Sequence, residues 1–138
     1  MSISTGSEYT IRTRIDLSYD EAVQKTREAL KAHGFGVLTE IDVAKTMKEK
    51  IDVDFRPYVI LGACNPRLAH RAFEAELEIG ALLPCNVIVY EDNGGSVVAA
   101  QDPEKMLSFV GNPALEPVAA EAAMAMRNVI ANVESDGE

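Results

Sequence analysis

The chain has 138 residues, 47% of them apolar and 25% charged, which is the balance of one globular domain with its own core. Its 13 basic and 22 acidic side chains give a net charge of −9, and such a surface repels nucleic acid and anionic membranes. We therefore expect residues 1–138 to form a single domain, ordered from about 8 to 133 with an acidic tail at 134–138, with no nucleic-acid or membrane partner.

The first ten residues contain neither a basic start nor an apolar stretch, so they do not resemble a secretory signal. The most apolar region, Ile79–Tyr90, is interrupted by Pro84 and is too short to span a bilayer. We expect a cytoplasmic protein, in which Cys64 and Cys85 are reduced.

Alternating apolar and polar residues predict a strand over Tyr9–Ile15 and a second strand over Phe35–Ile41. Between them, Ser18 followed three residues later by Glu21 is typical of a capping box. The 3.6-residue spacing of the apolar positions that follow predicts an amphipathic helix over Tyr19–Ala32.

The middle of the chain contains two further helix starts. Asp42 can cap a short, mostly polar helix over Val43–Lys50. The continuous apolar run Tyr58–Cys64 predicts a strand inside its sheet, and Asn65 with Pro66 favours a helix start directly after it. This helix should run to about Glu76, with these side chains facing inward: Leu68, Ala69, Ala72 and Phe73.

The second half of the chain should contain two strands, Asn86–Glu91 and Ser96–Gln101, joined by a hairpin over Asp92–Gly95. Asp102 and Pro103 open a short helical turn. A C-terminal helix presents one apolar stripe, formed by Val118, Ala122, Met126, Val129 and Val133. This order of elements predicts an α+β fold with two layers: a largely antiparallel sheet of about five strands, with two or three main helices packed on one face.

Several of these segments occur together, in the same order, in a known protein family. They are Tyr58–Pro66 (YVILGACNP), Leu68-Ala69, Leu82-Leu83-Pro84-Cys85, the strand NVIVYED and Asn112-Pro113. In this order and spacing the chain resembles the domain-of-unknown-function 302 family of small bacterial and archaeal proteins. The resemblance implies a TATA-binding-protein-like α+β fold and a homodimer, and it implies no particular activity.

The two cysteines are the residues most suited to a binding or chemical role. Cys64 lies at the start of the helix opened by Asn65 and Pro66, where free N–H groups and the helix dipole can lower the pKa of a thiol. Cys85 follows Pro84 and begins the next strand. If the two flanking strands are antiparallel, both thiols lie at one end of the sheet; if they are parallel, the thiols lie at opposite ends. Our candidate binding site consists of Cys64, Asn65, Pro66, Pro84 and Cys85. The competing interpretation is that both cysteines are small buried residues with no chemical role.

Metal binding is a weaker alternative. Cys64, Cys85 and His70 are suitable ligands for a soft metal, but their spacing is irregular and no CxxC motif is present. The acidic residues Glu40, Asp42, Asp52 and Asp54 form a second candidate cluster for a hard cation or for acid–base chemistry. We assign no metal ligand and no cofactor.

The sequence therefore favours a homodimeric domain that binds a small ligand or a partner. The alternatives are a thiol-based redox or sulfur-handling protein that uses Cys64 with Cys85, and a metal-binding protein. The residues do not decide whether the protein is an enzyme.

Overall fold

The computed structural model describes residues 8–136, which contain one antiparallel sheet. Its strands are β1 (Thr10–Ile15), β2 (Gly36–Asp42), β3 (Tyr58–Cys64), β4 (Cys85–Asp92) and β5 (Gly95–Gln101), in the spatial order β1-β5-β4-β3-β2. The helices are α1 (Tyr19–Ala32), α2 (Val43–Ile51), α3 (Pro66–Ala75), α4 (Pro103–Ser108) and α5 (Glu116–Asp136), with short 3₁₀ turns at Leu77–Leu82 and Pro113–Leu115. The predicted two-layer α+β architecture is confirmed.

One face of the sheet, which we call the inner face, forms the main core. Alternate strand residues such as Leu61, Val89 and Val98 are fully buried there. They belong to the same cluster as Leu30 of α1 and Met126 of α5, so these two helices cover the inner face. All five residues of the predicted α5 stripe are buried.

Local signals placed the helix starts correctly. Ser18 and Glu21 form the reciprocal capping box, and α1 has the predicted bounds. The Asp42 carboxylate accepts a hydrogen bond from the amide of Lys45 at the start of α2. The β4–β5 hairpin turns at Asn93 and Gly94. Both residues have positive φ, as the two central residues of a type I′ turn require.

Strand β2 differs from its predicted pattern. Val37 pairs with Ala63 on the inner face, but a bulge follows, and Thr39 pairs with Gly62 on the opposite, outer face. An extra residue in one strand moves every later side chain to the other face. Ile41 is therefore exposed on the outer face instead of continuing the stripe begun by Phe35.

The inward face of α3 also needs one correction. Leu68, Ala69 and Ala72 face the protein as predicted, but Phe73 is 39% exposed. In its place Ile79, from the 3₁₀ turn after α3, is buried beside Ala72 in a second apolar cluster.

Helix α5 continues through Asp136, across the first part of the expected acidic tail. Near its end Glu134 accepts a 2.7 Å hydrogen bond from the hydroxyl of Thr13, a buried residue of β1. The rest of that tail, residues 137–138, lies outside the described residues.

Candidate functional site

The predicted helix start after β3 is present. Cys64 is the last residue of β3, the side chain of Asn65 accepts a hydrogen bond from the amide of Leu68, and Pro66 is the first residue of α3. Asn65 satisfies one of the free amides of the first turn, and proline lacks an amide that would need a partner there.

The two thiols lie at the same end of the sheet. Strands β3 and β4 are antiparallel neighbours, and Cys85 is paired with Ala63, one residue before Cys64. Both cysteines are partly buried and carry free thiols. The antiparallel alternative is therefore the correct one for this pair of strands.

Cys64 and Cys85 line a common cavity of about 50 Å³, which we call the thiol cavity. Asn65 and Pro84 also line it, whereas Pro66 is exposed and lies outside its wall. Its other walls are apolar side chains from both clusters: Phe35 and Ala63 from the main core, and Leu68, Leu107 and Val118 from the second cluster. The cavity is thus a gap between the two packed regions.

Burial controls the chemistry of Cys85. Desolvation, with a smaller contribution from the nearby Cys64, raises the pKa of its thiol to about 11. A low dielectric disfavours the thiolate, and a second thiolate nearby would repel it. Cys85 is therefore a neutral thiol near pH 7.

The other candidate groups remain separate. His70 is exposed on α3, with its Nδ1 3.8 Å from a carboxylate oxygen of Glu74. Glu40 forms an ion pair with Arg27, and Asp54 lies 3.3 Å from the ammonium of Lys48. Within residues 8–136, no three His, Cys, Asp or Glu side chains are placed to hold a metal ion together.

A concave surface much larger than the thiol cavity, which we did not predict, lies on the outer face of the sheet, and we call it the outer groove. Its volume is about 500 Å³. Nine residues from four segments line it: Tyr9, Thr10, Arg12, Phe55, Arg56, Tyr58, Ile88, Tyr90 and Ala99. One available signal was the apolar character of both faces of β3 and β4, since the wet face of an antiparallel sheet is ordinarily polar.

The aromatic side chains of the outer groove are in contact. The rings of Tyr58 and Tyr90 stack with centroids 5.3 Å apart and an angle of 9° between their planes, and Phe55 lies 6.0 Å from Tyr58 in a tilted arrangement. The Arg56 guanidinium lies 5.8 Å from the centre of the Tyr90 ring. On the other side, Nη2 of Arg12 donates to the Tyr90 hydroxyl at 3.4 Å.

Burial raises the pKa of Tyr58, and the neighbouring Tyr90 and Tyr9 raise it further. All three phenols are therefore close together, and the Tyr58 hydroxyl keeps its proton near neutral pH. The outer groove thus combines a flat aromatic wall with phenolic hydroxyl groups and two guanidinium groups.

Comparison with known protein families identifies the family of this chain. The family model described as "Domain of unknown function DUF302" matches residues 11–133, which is most of the chain. The chain belongs to the DUF302 family.

A solved structure supports this assignment and the fold. The crystal structure of an uncharacterized conserved DUF302 protein from Bacillus stearothermophilus is 30% identical to this DUF302 chain, with a TM-score of 0.85. The match covers 92% of this chain and 99% of the other. No curated protein matches the chain significantly. The resemblance stated from the sequence is thus confirmed, and it brings no activity with it.

In the described part of this DUF302 chain, no helix has both the length and the apolar character needed to cross a bilayer.

Proposed function

We propose that this DUF302 protein is a homodimeric domain that binds a small ligand in the outer groove and does not transform it. The outer groove is the observation that carries the proposal. Its volume of about 500 Å³ lies within the roughly 300–1,000 Å³ typical of ligand sites, whereas the 50 Å³ of the thiol cavity lies far below it. Apolar walls with a few polar groups are also the usual composition of such sites.

The described residues favour binding over catalysis. A nucleophilic cysteine needs a depressed pKa, and burial moves the pKa of Cys85 in the opposite direction. A thiol is also activated by a neighbouring general base, and neither histidine is among the residues that line the thiol cavity with Cys64 and Cys85.

The homodimer is supported by the distribution of exposed apolar side chains. Half of the ten large apolar residues exposed in the described chain lie in one stretch, which we call the 38–55 segment: Leu38, Ile41, Ile51, Val53 and Phe55. Helix α2, inside this segment, has no buried residue. Monomeric proteins rarely expose such a concentration, and a two-fold dimer would cover it by placing two copies of the segment against each other.

The dimer is tested by light scattering coupled to size exclusion. We expect a mass of about twice the 15.0 kDa of one chain. Leu38→Glu should shift the protein to monomer, because Leu38 is 67% exposed in the 38–55 segment and a carboxylate there must be desolvated in the interface. Leu77→Glu is the matched control, since Leu77 is 81% exposed outside that segment. A monomeric wild type, or equal effects of both substitutions, would contradict this surface.

Ligand binding is tested with a fragment library and methyl-labelled protein by NMR. Bound fragments should shift the methyl signals of Ile88 and Ala99 in the outer groove, and leave those of Ala63 and Ala122 in the thiol cavity unchanged. Fragments that shift only the cavity signals would contradict the proposed site.

The shared cavity of Cys64 and Cys85 favours one second candidate, a thiol-based redox or sulfur-handling protein. This candidate requires one fast-reacting thiol at Cys64, because Cys85 is held neutral. Titration with Ellman's reagent at neutral pH should then show rapid labelling that is lost in Cys64→Ser and retained in Cys85→Ser. Slow labelling of both thiols would remove this candidate.

A further inference from the structure

One residue belongs both to the outer groove and to the 38–55 segment. Phe55 is the last residue of the segment and one of the nine residues that line the groove, where its ring lies 6.0 Å from that of Tyr58. Phe55 is still 44% exposed, so the wall that it forms is only partly covered. A molecule that covers the whole segment therefore also contacts a wall of the groove.

The sheet register joins the same two surfaces at a second place. On the outer face, Ile41 pairs with Ile60, which pairs in turn with Ile88. Ile88 then pairs with Ala99 of β5. This apolar row begins at an exposed residue of the 38–55 segment and ends in the floor of the outer groove. The segment and the groove are therefore parts of one continuous apolar area.

A second copy of the chain can approach this area from the side. Among the strands of residues 8–136, β2 is the edge strand there, and all of its residues except Val37 are exposed. Helix α2, which follows β2, has no buried residue. In a two-fold dimer the same surface of both chains meets, so the partner's 38–55 segment lies against this one, beside Phe55.

From this continuity we propose that the ligand site is shared between two chains. The partner's 38–55 segment supplies a wall of the outer groove next to Phe55, and the far end of the groove, at Ala99, stays open to solvent. This inference rests on the proposed function, because it makes the second chain part of the same site. The ligand contacts more apolar surface in the dimer than in the monomer, so it binds the dimer more tightly.

Shared contacts couple ligand binding to dimerisation. If each site of the dimer binds the ligand about tenfold more tightly than the monomer does, the ligand stabilises the dimer by the same factor per site, because such coupling is reciprocal. With both sites of a dimer occupied, the dissociation constant of the dimer should fall by about 100-fold. A site contained within one chain would show neither effect.

The experiment uses N-phenylnaphthylamine, an uncharged aromatic dye that fluoresces in apolar surroundings. We expect the wild-type dimer to bind this dye about tenfold more tightly than the monomeric Leu38→Glu variant. Leu38 does not line the groove, so the loss reports the missing partner. Leu77→Glu is the matched control, since it introduces the same charge outside the 38–55 segment and should bind the dye as the wild type does.

Two measurements on the wild type need no substitution. Dilution below the dissociation constant of the dimer should weaken dye binding by the same factor of about ten, and sedimentation at saturating dye should show the dimer persisting at about 100-fold lower protein concentration. Ala99→Leu fills the floor of the groove and should weaken dye binding, which locates the dye. Circular dichroism spectra confirm that each variant is folded.

Equal affinity of the dimer and the monomer for the dye, or a dimer dissociation constant that the dye leaves unchanged, would overturn the shared site. Either result would leave the homodimer and its ligand groove standing. A monomeric wild type, absence of dye binding, or dye binding that Ala99→Leu does not weaken would overturn the proposed function together with the shared site.

Discussion

The thiol cavity and the outer groove are built partly from the same two strands, yet they differ in size, polarity and exposure. The cavity uses residues at one end of the β3–β4 pair, such as Ala63 and Cys85, and closes against helices. The groove uses Tyr58, Ile88 and Tyr90 on the other face, and it opens to solvent. A strand that is apolar on both faces can therefore pack into the core with one face and form a binding surface with the other.

The largest expected effect distinguishes the two faces through adjacent residues. Leu61 is fully buried on the inner face, and Leu61→Ala should lower the free energy of unfolding by about 2–5 kcal/mol. Ile60 lies partly exposed on the outer face, and Ile60→Ala should cost only about 1 kcal/mol. Urea unfolding measures both values. Equal losses would show that the outer face is as deeply buried in the folded protein as the core.

The second largest expected effect is a pH dependence of the free energy of unfolding, caused by Cys85 in the thiol cavity. Because the pKa of Cys85 is raised from 9.0 to about 11, the folded state retains this proton more strongly than the unfolded state. The resulting stabilisation is complete below about pH 9 and is lost as the pH rises to about 11, a change of about 2–3 kcal/mol.

Cys85→Ala is the control for this pH dependence. Urea unfolding at about pH 8 and about pH 11 should show a larger loss of stability in the wild type than in the variant. If both proteins lose the same free energy, Cys85 is not the residue that titrates with a raised pKa.

A smaller effect is expected at Gly62, where β3 passes between the two sites. A Cβ atom there would lie 2.8 Å from Cγ of Pro84 and even closer to the hydroxyl of Thr39. We expect Gly62→Ala to destabilise the protein by about 1–3 kcal/mol, because the neighbours must move to make room. Gly94→Ala is an unsuitable control because of its positive φ, so Gly36→Ala, whose nearest such contact is 4.0 Å, is used instead.

The smallest effect is a gain in stability. Ala63→Val adds two methyl groups beside the thiol cavity and should stabilise the protein by about 1 kcal/mol. The same change at Ala99, which is 4% exposed at the floor of the outer groove, should give no comparable gain, because methyl groups that extend into the groove stay in contact with solvent. Thermal unfolding of both variants tests the difference. A similar gain at both positions would mean that the groove is closed in solution, as in a covered interface.

Sequence reasoning succeeded where the determining interactions are local. The capping box at Ser18, the Asn65-Pro66 helix start and the Asn93-Gly94 turn each depend on residues a few positions apart. The proximity of Cys64 and Cys85 depended on strand direction, which the sequence left open and the sheet decided.

The outer groove could not be predicted by the same means. It requires Arg12 from β1 to pair with Ala99 of β5, which itself pairs with Ile88 of β4, so a strand near the start of the chain must be placed in register with the distant β4–β5 hairpin. The bulge in β2 is a further example, because one additional residue reversed the faces of Thr39 and Ile41 without any mark in the apolar pattern.

The position of β1 affects how the chain is made. Among the strands of residues 8–136, β1 pairs only with β5, so Thr10 has no pairing partner until Gln101 has been synthesised, while β2, β3 and β4 can pair with one another earlier. Such nonlocal pairing slows folding and leaves strand edges open during synthesis. We expect β1 to join the sheet last. A nascent chain that still lacks β5 can form the β4-β3-β2 part of the sheet, but Arg12 of β1 has no strand to pair with.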